Sequence, residues 1–171
     1  RGILWTNEIV SVAGIKKGSD NYSSITSNMS LYASFSDPAK LVMVLKVGGS
    51  RILSKNYEYF QALNFGANND LKGFRKNRFA GNSTFYSGIE MRVKLFDVNS
   101  FILPGTLGVA GFYDIGRVWL KNESSKAWHN GYGAGLYFIP FNLFVISASA
   151  GFSENEKMLN FSIGAKVNIT Y

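Results

Sequence analysis

The side chains of this chain that could do chemistry are few, and most are charged groups set among strand-like sequence. The stretch Asn69-Asp70-Leu71-Lys72-Gly73-Phe74-Arg75-Lys76-Asn77-Arg78-Phe79-Ala80-Gly81-Asn82 gathers Lys72, Arg75, Lys76 and Arg78 around a Gly-Phe pair. Downstream, Glu90 lies in Tyr86-Ser87-Gly88-Ile89-Glu90-Met91-Arg92, and Asp114 lies in Gly111-Phe112-Tyr113-Asp114-Ile115-Gly116-Arg117-Val118-Trp119. Taken singly, the four cations read as a solvated basic loop meeting lipid phosphate. Catalytic chemistry is hard to assemble. There is no cysteine and one histidine, so thiolate metal sites and disulfides are excluded and most imidazole chemistry goes with them. Trp128-His129, after Lys121–Lys126, reads as a surface or interfacial aromatic rather than a metal site. Gly48-Gly49-Ser50 and Gly131-Tyr132-Gly133-Ala134-Gly135 look like nucleotide loops only superficially, because no helix follows either. Inside strands, glycines mark curvature or close packing. No nucleophile–base pair and no carboxylate dyad can be drawn. The chain is therefore expected not to be an enzyme, with no catalytic residue, cofactor or metal.

The elements that must hold these residues are strands. Phe161, Ile163, Ala165, Val167, Ile169 and Tyr171 alternate with Ser162, Gly164, Lys166, Asn168 and Thr170, a period of two that gives a strand two unlike faces. The same alternation runs through 24–36, 83–95 and 143–153. In 83–95 it sets Phe85, Ile89, Met91, Val93 and Leu95 against Tyr86, Gly88, Glu90, Arg92 and Lys94. Turn-forming clusters at 19–22, 36–40, 140–142 and 153–157 separate the runs. The expected strands are 2–16, 24–36, 41–53, 58–65, 83–96, 105–120, 131–139, 143–153 and 158–170, with longer connections at 66–82 and 121–130. One domain fills the 171 residues.

Three features favour a membrane barrel over a soluble sandwich. The strands often exceed the ~5–6 residues usual in globular proteins and approach the ~9–11 of a tilted membrane strand. Their polar face is small and hydroxyl-rich, as a hydrated lumen requires. Trp5, Phe35, Phe85, Trp119, Phe138 and Tyr171 fall near strand ends, where an aromatic girdle belongs. The net charge of +7 suits an anionic partner such as lipid phosphate; a nucleic-acid partner is not expected, since no aromatic-basic platform accompanies it. The fold class is thus all-β, a transmembrane antiparallel β-barrel. Single-chain barrels have even strand numbers, so nine strands imply an unfinished barrel, completed by a missing N-terminal half or a second copy.

The tip Leu71-Lys72-Gly73-Phe74, Glu90 on the next strand, and Asp114 on the one after in a Phe-x-Asp-x-Gly setting together resemble the BamA/TamA superfamily, also called the bacterial surface antigen family. Its members carry a hydrophobic-Arg-Gly-Phe/Tyr tip on a loop that folds back into the barrel. The resemblance implies that the chain is the C-terminal part of a sixteen-strand barrel, with loop 66–82 between the eleventh and twelfth strands. It also implies a loop lock of Lys72, Gly73, Phe74, Glu90 and Asp114, supported by Leu71, Arg75 and Gly116. Ser162, Gly164, Val167, Ile169 and Tyr171 resemble the family's outer-membrane targeting signal. Lys72 stands where the family usually has Arg, which keeps the charge and loses the bidentate fork, so either a looser lock or a share of the role for Arg75 is expected. Gly73 is expected to let the tip turn tightly, and Phe74 to wedge against the wall.

The function implied is insertion or translocation of proteins or lipids at the bacterial outer membrane. The alternative is an anchor or export barrel for an N-terminal hydrolase, because the wording of loop and strands resembles the branch fused to patatin-like or calcineurin-like domains. The partners implied are outer-membrane lipid and lipopolysaccharide, the rest of the barrel, and a client polypeptide. Connection lengths put 66–82 and 121–130 outside, and the turns near 97–104 and 140–142 with the C-terminus on the periplasmic side.

Overall fold

The computed structural model describes residues 1–15, 21–36, 40–66, 71–120, 126–154 and 156–165, apart from the side chains of Tyr59 and Ala165. Ten strands form: β1 (Gly2–Val12), β2 (Tyr22–Ser34), β3 (Leu41–Ile52), β4 (Leu63–Phe65), β5 (Phe79–Gly81), β6 (Ser83–Val98), β7 (Gly105–Trp119), β8 (His129–Pro140), β9 (Phe144–Ser153) and β10 (Lys157–Ala165). Eight make one antiparallel sheet in the order β1-β2-β3-β6-β7-β8-β9-β10, so each long strand pairs with the long strand before and after it. That up-and-down order follows from the connections, most of which are too short to cross another strand.

One expected strand is absent from the sheet. Residues 58–65 form a 3-10 turn at Tyr59–Gln61 and then the short β4, which pairs with β5 as a separate two-stranded ribbon. The turn closes locally, with Gln61 N donating to Glu58 O at 2.8 Å and Glu58 N donating to the Gln61 side chain at 2.8 Å. Phe65 is nearly fully buried in the seam between this ribbon and the large sheet. The large sheet therefore has eight strands, not nine, and parity no longer argues for incompleteness. Among the described residues β1 and β10 have one neighbour each and do not pair with each other, so the sheet is open there. Three long strands precede the loop, one fewer than expected, and five follow it.

The register gives the two faces their character. Opposite residues Val44↔Glu90↔Phe112 and Gly88↔Asp114↔Gly131 share the inner face, together with Lys46, Tyr86, Arg92, Tyr137, Ser147 and Ser149. The outer face exposes Ile9, Ile25, Met29, Ile89, Met91, Val93, Tyr113, Leu136, Phe161 and Ile163. A continuous apolar surface of this extent is far larger than a water-facing surface carries, and it matches hydrocarbon. Trp5, Phe35 and Phe138 lie toward one end of the strands, while Phe85, Trp119 and Trp128 lie toward the other, with Phe85 and Trp128 packed edge to face at 6.2 Å. Tyr171 lies outside the described residues. A bulge at Leu95 flips the parity of β6, so Asp97 faces inward and takes bonds from Lys94 and Thr106, both at 2.7 Å. The β8–β9 connection turns on Phe141 and Asn142, both at positive φ, and Leu143 N donates to Pro140 O at 3.0 Å.

Candidate functional site

The connection from β3 to β6 folds back onto the polar inner face. The β4–β5 ribbon shapes its limbs, and the tip Leu71–Phe74 closes with Phe74 N donating to Leu71 O at 3.1 Å. Leu71 is completely buried, and with Phe65, Phe74 and Tyr86 it forms a small core under the loop, flanked by Phe79 and Val118. Apolar burial thus fixes where the tip sits before any charge is considered. Phe74 meets Phe79 and His129 edge-on at 5.3 and 5.9 Å, and His129 stacks on Phe79 at 3.9 Å. His129 is therefore part of the loop's aromatic seat, a role its place beside Trp128 did not suggest.

The charges are arranged around Lys72. Its Nζ donates to Glu90 Oε2, and Arg92 Nε donates to Glu90 Oε1, so one buried carboxylate holds two cations. Lys72 Nζ also lies 4.6 Å from the centre of the Phe112 ring. Asp114, only 5% exposed, accepts the backbone N–H of Lys72 at 3.3 Å. The Lys72 carbonyl in turn accepts from Asn160 Nδ2 of β10 at 2.8 Å. The two acids thus divide the work: Glu90 binds the side chain, and Asp114 binds the main chain. Arg75 does not share the charge of Lys72 on these acids. It points away to Glu156 in the β9–β10 turn, and Arg92, two residues beyond Glu90 on the same strand face, supplies the second cation instead.

Glycines make the seat. A Cβ on Gly73 would lie 2.6 Å from Phe152 O and 3.0 Å from Gly131 Cα, while one on Gly151 would strike the Lys72 carbonyl. A Cβ on Gly116 would meet the Phe65 ring at 2.6 Å and Leu71 at 3.2 Å. Gly73 is not in the left-handed backbone region. Its requirement is space against β8 and β9, rather than the tight turn expected of it. Gly131 and Gly133 show the close packing expected of glycines inside a strand: they are the groove that admits Gly73 and the Phe112 ring. Three inward glycines at a spacing of two were the available signal.

Below the tip, a cavity of about 420 Å³ is lined by Lys46, Lys72, Arg92, Tyr137, Ser149 and Asn160, among others. Cations predominate there. No group of three or more acids and histidines that could hold a metal occurs among the described residues. Of the expected targeting residues, Ser162 shares a hydrogen bond of 2.8 Å with Ser147, and a Cβ added at Gly164 would meet nothing within 4 Å among the described residues. Val167, Ile169 and Tyr171 lie outside the described residues.

A search of curated proteins returned no match. The family model described as the Omp85 superfamily domain matches residues 3–167, nearly the whole chain. Members of that superfamily are outer-membrane β-barrels that insert or translocate proteins. An inward-folded loop on an open antiparallel sheet with an apolar outer face is in keeping with that match, and the chain belongs to the Omp85 superfamily.

Proposed function

We propose that this chain is the loop-bearing C-terminal part of a BamA/TamA-type barrel, inserting or translocating polypeptide at the bacterial outer membrane. The observation that carries the reading is the docked tip: Lys72 on Glu90, its amide on Asp114, and Gly73 seated between β8 and β9. A loop docked on the wall in this way keeps the lumen shaped. In this reading the remaining strands come from an N-terminal half or a second copy, because bare N–H and C=O groups at β1 and β10 are not tolerated in lipid. In this reading the β3–β6 and β7–β8 connections join their strands at the outer, lipopolysaccharide-side end of the barrel.

The test is client folding. The complete barrel-forming protein is reconstituted in vesicles with an unfolded outer-membrane barrel as client, and folded client is read by its heat-modifiable gel mobility. The protein should speed folding above that of empty vesicles, Lys72→Ala should abolish most of the gain, and Lys72→Arg should keep it. No acceleration by the wild-type protein would overturn the reading and return weight to an anchoring role.

A further inference from the structure

The loop is held at a second place besides the Glu90–Asp114 wall. Glu156, in the turn between β9 and β10, accepts the backbone N–H of Arg75 at 2.9 Å, Arg75 Nε at 3.1 Å and Arg78 Nε at 3.0 Å. Its side chain is only 10% exposed although it sits in a turn. The turn itself is closed by Ser153 N donating to Glu156 O at 2.9 Å, which sets the carboxylate on the loop side. Burial alone would push this carboxyl up, but the amide and guanidinium of Arg75, aided by Arg78, carry it below the ordinary value. A single acid gripping three donors on the returning limb of the loop is more than a passing surface pair.

What it grips matters as much. The β9–β10 turn feeds β10, the edge strand, whose strand pairing among the described residues is with β9 alone. Edge strands are the least restrained part of a sheet. Asn160 of the same strand already holds the Lys72 carbonyl. The loop therefore touches the edge hairpin twice, once at its tip and once on its returning limb.

We propose that Glu156 is a positioning residue that clasps the loop to the β9–β10 hairpin, so that docking of the loop and seating of the edge strand β10 stabilise each other. The proposal rests on the docked-loop reading and adds to it a coupling to the sheet edge. Because linkage is reciprocal, releasing the clasp loosens β10 as well as the loop.

The experiment uses the full protein, purified in detergent from outer membranes, with native folding checked by heat-modifiable mobility. Two readouts are taken: the rate of trypsin cleavage after Lys76, and hydrogen exchange of the 157–165 segment. Glu156→Gln should speed cleavage up to about fivefold at low salt, the range for a partly solvated ion pair, and should raise exchange in β10. Wild type should drift toward the variant as salt rises. In an Arg75→Gln/Arg78→Gln background, adding Glu156→Gln should change little. Equal cleavage of wild type and Glu156→Gln, unchanged β10 exchange, or an undiminished effect without the arginines would each overturn the clasp. Lys72→Ala serves as the reference: if it alone frees the loop, the clasp fails and the docked-loop reading stands; if neither variant frees it, both fail.

Discussion

Removing the Lys72 side chain should undock the tip without unfolding the sheet, and the structure sets the size of the effect. Lys72→Ala deletes the charge-assisted bond to Glu90, worth about 1.5–3 kcal/mol, and the contact over Phe112, worth about 0.5–1 kcal/mol. It falls short of the ~3–5 kcal/mol of a fully orphaned buried charge, because Arg92 still holds the other oxygen of Glu90. It leaves the backbone bonds of Lys72 to Asp114 and Asn160 in place. A loss of about 2–4 kcal/mol multiplies the undocked population roughly 30- to 1000-fold, at tenfold per ~1.4 kcal/mol. Hydrogen exchange of the 71–75 segment is the assay, since the amides of Leu71, Lys72, Phe74 and Arg75 are all bonded in the docked state. The division between the acids sharpens the test. Lys72→Ala and Glu90→Gln should be strongly non-additive, because each removes the same bond. Lys72→Ala and Asp114→Asn should be closer to additive, because Asp114 holds the main chain. Exchange in 71–75 within twofold of wild type for Lys72→Ala would refute the lock, and strict additivity with Glu90→Gln would refute its pairing.

Gly151→Ala should undock the tip with no change of charge, at about 1–3 kcal/mol for overpacking, whereas Gly164→Ala should leave loop exchange unaltered. Acid should release the outer limb of the loop. The Glu156 carboxyl is lowered in the folded protein, so its contribution is complete above the ordinary carboxylate value and is lost as pH falls through the lowered one; exchange at Arg75, corrected for intrinsic rate, reads this, and a flat profile speaks against it. The polypeptide should require detergent or lipid and migrate as a heat-modifiable β-structure, and monodisperse behaviour in plain buffer would contradict the outward apolar face. Cysteines introduced at Ser125 and Asn142 should label from outside the cell only at Ser125, and the reverse pattern would invert the topology.

The strand faces were legible in the sequence because alternation is a local signal repeated many times over. Glu90, Arg92 and Lys94 could be placed on one face without knowing any neighbour. The 58–65 segment misled for a related reason: Phe60, Leu63 and Phe65 offer apolar residues at strand-like density, but Phe65 is buried between loop and wall rather than in the sheet. Periodicity reports that a face is buried and not what buries it. Arg75 failed differently. Four cations crowd one loop, and sequence spacing does not show which acid each one meets; Glu156, 81 positions from Arg75, comes near only through the register of β8, β9 and β10. The glycines are the most instructive case. Gly131, Gly133 and Gly151 were visible as small residues at strand spacing, yet their purpose depends on a backbone that arrives from a distant loop. A groove one Cβ deep has no signature until its occupant is known. Once Gly73 is seen against Gly131 and Gly151, the tip's Gly-Phe pair, the wall's glycines and the two acids become one requirement: a main chain brought close enough for Asp114 to bind its amide.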